Sequence, residues 1–196
     1  MPRTARPARI AAVLLSTSLI ALGATACGLE TDTVSTTAKA DSASGGSNSK
    51  AAPKKKKSSA RVGDTVSLKG MESGSKADVT VVKFVNRAVG ADEFSQPESG
   101  KRFVAVQLKI KNIGSKAYSD SPSNGAKVVD TEGQGFDADI SDTKAGPSFS
   151  ADVNVAPGGT AKGFITFQVP KNAKIDKVQF TMDSGFADQT GQWNVR

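Results

Sequence analysis

Residues 61–196 of this 196-residue sequence predict one all-β domain, an antiparallel sandwich of two sheets, on three observations. Short runs rich in β-branched and aromatic residues alternate apolar and polar side chains. Clusters of Gly, Pro, Asn, Asp and Ser separate those runs. No stretch holds an amphipathic helical period. Eight or so short strands in about 136 residues fit two packed sheets, with a small closed barrel as the alternative.

Taken in chain order, 65–68 is a short strand candidate. Segment 78–86 is a longer one of mixed phase, since Val79 and Val81 share one face while Val82 and Phe84 share the other. A bulge, or an edge that changes sheets, accounts for such a phase change. The clearest strand is 101–113, with Val104, Val106, Leu108 and Ile110 on one face and Gln107, Lys109 and Lys111 on the other. Segments 126–130 and 136–140 read as short strands joined by a hairpin turn, Asp130-Thr131-Glu132-Gly133. After a short candidate at 151–155, Ala156-Pro157-Gly158-Gly159 supplies the fixed φ of proline and then a glycine able to take φ > 0, as a type II turn requires.

That turn leads into strand 161–169, where Ile165, Phe167 and Val169 align and Pro170 ends the run by removing a ladder donor. Strand 174–183 puts Val178, Phe180 and Met182 inward, and 192–195 is a last short candidate. The outward positions of the three clear strands are mostly polar, which fits one packed and one wet face.

The chain ahead of the domain divides in two. Residues 1–26 have a basic start with Arg3, Arg6 and Arg9, a thirteen-residue apolar stretch from Ile10 to Leu22, and small residues up to Cys27. This is the layout of a secretory signal. The apolar stretch is short for a bilayer-spanning helix, which needs roughly 20 residues. Small side chains before a cysteine resemble the lipobox of bacterial lipoproteins, in which the sulfur is acylated and the chain is cut just ahead of it. Ala24 stands where that family usually has leucine. The plainer alternative is an ordinary secretory signal with Cys27 an idle thiol.

Residues 27–60 are Ser, Thr, Ala, Gly, Asp and Lys with almost no large apolar side chain, and read as a disordered tether. Its run Lys54, Lys55, Lys56 and Lys57 suits an anionic lipid or an anionic envelope polymer. It serves equally as a solvated spacer. Charge divides unevenly: residues 61–196 hold 17 basic against 16 acidic side chains, so most of the net +7 lies outside the domain. A nucleic-acid-binding domain is therefore not expected.

The runs Gly100-Lys101-Arg102-Phe103-Val104-Ala105-Val106, Asp130 with Gly133, Ala156-Pro157-Gly158-Gly159 and Phe167-Gln168-Val169-Pro170 resemble a family of uncharacterised immunoglobulin-like domains. These follow lipoprotein signals in Gram-positive bacteria, particularly actinobacteria, and are akin to secreted immunogenic antigens of mycobacteria. The resemblance implies an immunoglobulin-like sandwich and carries over no catalytic residue.

The chain has no histidine and one cysteine, which excludes Ser-His-Asp and Cys-His catalysis, a disulfide framework and a zinc site built on those ligands. No cofactor and no enzymatic activity are expected. Ser-x-x-Lys occurs at Ser47/Lys50, Ser73/Lys76 and Ser141/Lys144, without the companion motifs of penicillin-recognising enzymes. Asp137, Asp139 and Asp142 offer hard oxygen ligands for calcium but lack the calcium-loop glycine and glutamate; solvated strand and loop positions explain them as well. Loops 89–100 and 113–125, with Phe94 and Tyr118, have the composition of a recognition surface or of plain connections. Trp193 is expected to pack at the end of the sandwich. The reading is a membrane-anchored lipoprotein presenting a non-catalytic binding or adhesion domain, or an accessory subunit of an envelope complex.

Overall fold

The computed structural model describes residues 35–37 and 60–196. The signal segment, Cys27, most of the tether and Lys54 to Lys57 lie outside the described residues. Among the described residues, twelve strands run in the order β1 (Ser35–Thr37), β2 (Ala60–Arg61), β3 (Thr65–Lys69), β4 (Lys76–Ala88), β5 (Lys101–Asn112), β6 (Tyr118–Asp120), β7 (Ala126–Asp130), β8 (Gly135–Asp139), β9 (Val153–Val155), β10 (Thr160–Pro170), β11 (Ile175–Thr181) and β12 (Thr190–Asn194). The described helical structure is a single α-turn, α1 (Pro122–Gly125), and a 3-10 turn at Asp183–Gly185.

One sheet has the order β1-β3-β4-β5-β10 and the other β7-β11-β12-β2. β8 joins them: Gly135, Phe136 and Asp137 pair with β7, and Ala138 and Asp139 then pair with β10. The two sheets thus share one corner strand, so the sandwich is closed along one side like a barrel. All ladder pairs are antiparallel except β2 with β12. β6 and β9 form a separate two-stranded ribbon.

Alternation places Val104, Val106, Leu108 and Ile110 of β5 and Ile165, Phe167 and Val169 of β10 against Val128, Val178, Phe180 and Trp193 of the opposite sheet. Burying such side chains is worth about 1.5–3 kcal/mol each. Trp193 is fully buried, as expected, and its Nε1 donates to the Asp64 carbonyl at 3.0 Å.

The mixed phase of β4 is a bulge. Val81 pairs with Leu108 and Lys83 with Gln107, which leaves Val82 as the extra residue. The register shifts again between Val85 and Ala88, where β4 advances one residue more than β5. Both predicted turns form. Gly133 N donates to Asp130 O and Gly159 N to Ala156 O, with Gly158 at φ 81.

Two expectations are corrected. Residues 35–37 fall in the predicted tether but pair with β3, the edge of their sheet, where β-branched threonines fit a pleated ladder. Ala60, the last predicted tether residue, is buried and pairs with Trp193. The outer face of β5 and β10 is not wholly wet either, for Phe103, Ala105 and Phe164 point outward and are buried. The segment after β8 runs beside β10, with Phe149 N donating to Phe164 O and Phe164 N to Pro147 O. It also brings Gly146 against the Phe164 ring, so closely that an added Cβ would lie 2.7 Å from it.

Candidate functional site

Residues 102, 104, 106, 108, 110 and 112 of β5 form one inward row that crosses the sandwich from end to end. Its four central members are apolar; its termini are Arg102 and Asn112. At the Asn112 end the polar group is absorbed into the fold. Asn112 is 1% exposed, its Nδ2 donates to Lys116 O (2.7 Å) and Val155 O (2.8 Å), and its Oδ1 accepts from Gly114 N (2.9 Å).

At the other end Arg102 is 8% exposed, with Nη1 donating to Asn86 O (2.6 Å) and Nη2 to Ala173 O (2.7 Å). A guanidinium has five N–H donors; with two engaged, three remain. Among the described residues no carboxylate pairs with it. Burial, and next the charge of Arg87, push its pKa below the ordinary arginine value, the signature of a cation held among unfavourable neighbours.

Arg102 forms part of the lining of a cleft of about 510 Å³ between the ends of the two sheets. The second irregularity of β4 supplies Asn86 and Arg87. The β10–β11 connection supplies Lys171 and Lys174, and the residues after β12 supply Val195 and Arg196. Five cationic side chains and no acidic one line it. Bulges re-aim side chains at sheet ends, and here one carries Arg87 to the rim.

Loop 89–100 lies at this same end, tied to it by Lys171 N donating to Gly100 O and Glu98 N to the Gln168 amide oxygen. Asp92 shapes its tip by accepting from Phe94 N (3.0 Å) and Ser95 N (2.8 Å), which leaves Phe94 88% exposed. Hydrogen bonds from Ser95, side chain first, hold the Asp92 carboxyl below its usual range.

The second predicted recognition loop is different. Residues 113–125 sit at the opposite end of β5, and they fold into β6 and α1. Tyr118 is only 4% exposed there, with its hydroxyl donating to Asp120 Oδ2. Phe94 and Tyr118 are therefore not parts of one surface.

The calcium candidates do not converge. Asp137 forms an exposed ion pair with Lys127 at 2.7 Å. Asp139 accepts from Ser141 N and from Gln168 Nε2; burial opposes its ionisation, but those bonds outweigh it and hold the pKa low. Asp142 accepts from the Ser148 hydroxyl. Among the described residues no group of three or more His, Cys, Asp or Glu is disposed around a metal position. Nor does a hydrogen bond join Ser73 to Lys76 or Ser141 to Lys144 among those residues.

Arg102 went unrecognised as a site residue in the sequence reading. A signal was present, since a charged side chain stands in the inward phase of the strongest strand. Arg87, Lys171, Lys174 and Arg196 carry no comparable mark, because surface cations are common and only the chain path gathers these.

Fold and site together define a small sandwich domain whose sheets are closed at one end by hydrogen bonds and open at the other onto a basic cleft. The chain belongs to the family described as "Domain of unknown function (DUF4352)", matched over residues 61–191. It is 31% identical over 135 residues to the uncharacterized protein YxkC of Bacillus subtilis (strain 168), covering 62% of this chain and 71% of that one.

Among solved structures, the secreted protein MPT63 of Mycobacterium tuberculosis superposes with a TM-score of 0.50 at 13% identity, over 72% of this chain and 99% of that chain. That likeness is one of fold. A candidate lipoprotein of Bacillus subtilis, ycdA, has a TM-score of 0.47 at 13% identity, over 63% of this chain; the match spans only 38% of ycdA. Among the described residues no helix is long and apolar enough to cross a membrane.

Proposed function

We propose that this protein is an extracytoplasmic lipoprotein, held to the membrane by acylated Cys27, whose sandwich is a non-catalytic binding or adhesion module of immunoglobulin-like type. The observation that carries the binding part is the open basic end, where a buried arginine with uncommitted donors lines a cleft together with four further cations. The lone cysteine behind a signal-like segment supports the anchor. A secreted mycobacterial protein of the same fold supports the extracytoplasmic placement. Absence of histidine from the whole chain supports a non-catalytic reading.

A second reading, an accessory subunit of an envelope complex, is favoured by one feature. Val89, Phe94 and Ile140 are strongly exposed on neighbouring loops that are stitched together by Ala91 N to Asp142 O and Lys144 N to Val89 O. An apolar patch of this kind suits a protein partner.

Intact-mass analysis of the protein extracted from membranes in detergent, beside a Cys27→Ser variant, tests the anchor. The expected mass is that of a chain beginning at acylated Cys27, with modification and membrane retention both lost in the variant. An unmodified thiol on a protein released to the medium would replace this reading with a freely diffusing secreted domain.

A further inference from the structure

We propose that the open-end cleft binds a phosphate-class oxyanion, with Arg102 as the fixed donor at its floor and Arg87, Lys171 and Lys174 at its rim. This rests on the binding-module reading and assigns the chemistry of its ligand. Three features support it. A cation on a largely buried residue costs free energy unless something neutralises it, and Arg102, 8% exposed, is held in place by two neutral carbonyls. A guanidinium recognises oxyanions through its planar fork of donors, and three of the five remain available. The surrounding cations reach the cleft from three separate segments, β4, the β10–β11 connection and the residues after β12.

Donors arriving from several directions suit a tetrahedral anion, whose oxygens point several ways, better than a planar carboxylate with two. The cleft, at about 510 Å³, also leaves room for an organic group carrying the phosphate. The phosphate has two chemical sources, a free or monoester phosphate and the phosphodiester of a lipid headgroup or envelope polymer.

The test is titration of the full chain in non-ionic detergent, followed by calorimetry at about 0.15 M salt, where exposed charges are screened beyond roughly 8 Å. Inorganic phosphate is one probe and glycerophosphoglycerol, the deacylated diester headgroup, is the other. The chain should bind phosphate saturably. Arg87→Gln with Lys174→Gln, both at exposed positions, should weaken binding about tenfold or more, consistent with losing two charge-assisted contacts. Lys109→Gln with Lys111→Gln removes the same charge from β5 away from the cleft and should leave binding unchanged.

Binding of both probes assigns the site to diesters as well; binding of inorganic phosphate alone restricts it to free or monoester phosphate. Failure to saturate, or equal weakening in the two double variants, overturns the proposal. In that event a mass spectrum still reporting acylated Cys27 leaves the anchored binding-module reading in place.

Discussion

Asn112 and Arg102 end the same inward row of β5, yet the molecule treats them oppositely. Around Asn112 each amide donor and the amide oxygen have partners, and the main chain joins in: Asn112 N donates to Gly159 O and Gly158 N to Asn112 O. Nearby, Asp120 Oδ1 accepts from Ser121 N, Ser184 N and Ser184 Oγ. Among the described residues, three donors of Arg102 have no partner and the surrounding cations form no ion pair with an acidic side chain. Polar groups at the first end close the fold; those at the second are left facing a cleft. The difference teaches that burial of a polar side chain says little until its donors are counted against its partners.

The largest effect should separate these two ends directly. Asn112→Ala leaves Val155 O, Lys116 O and Gly114 N behind, at an expected cost of about 3 kcal/mol, read from urea unfolding. Arg102→Met removes two bonds but also removes a buried charge that no acidic group neutralises, at a net cost of about 1 kcal/mol. Equal costs would mean that Arg102 is as structural as Asn112, and the comparison would fail.

Alkaline titration sharpens the closed end. Burial first, then the Asp120 charge and hydrogen bond, raise the Tyr118 pKa well above the tyrosine value. A raised folded pKa contributes stability that is intact below the unfolded pKa of about 10 and is lost as pH rises towards the folded one. The loss reaches up to about 1.4 kcal/mol per pH unit. Tyr118 is the sole tyrosine, so absorbance follows it alone, and Tyr118→Phe should abolish the slope. A slope surviving in that variant would place the effect elsewhere.

Gly158 carries one of the main-chain bonds to Asn112. Its φ is 81 and nothing lies within 4 Å of an added Cβ. Gly158→Ala should therefore cost roughly 1 kcal/mol from backbone strain without a clash, measurable as a lower urea midpoint.

The smallest effect belongs outside both ends. Asp137→Ala removes an exposed pair with Lys127 and should change stability by less than about 0.5 kcal/mol. Millimolar calcium should leave the melting temperature of either form unaltered. A calcium-dependent rise lost in the variant would revive the carboxylates as ligands.

Much of the fold was legible in residues 61–196 because its signals are local. Alternation marked β5, β10 and β11 to within a few residues, the phase change at Val82 marked a bulge, and two glycines marked two turns. Of the β6–β9 ribbon, β9 was marked by the candidate at 151–155 while β6 escaped, since Tyr118–Asp120 is too short to show a period. So did β1, whose three residues form a strand only because β3 offers an unpaired edge.

By itself the sequence determined that the domain is all-β, which faces of its strands carry the core, and which chemistries its composition forbids. These follow from side-chain periodicity and residue type, which need no knowledge of neighbours in space. Tertiary structure alone decided that Asp137, Asp139 and Asp142 are engaged separately. It also decided that Arg87, Arg102, Lys171, Lys174 and Arg196 share one cleft. Those are relations between residues as much as 109 positions apart, set by the path of the chain between two sheets, and no local pattern encodes that path.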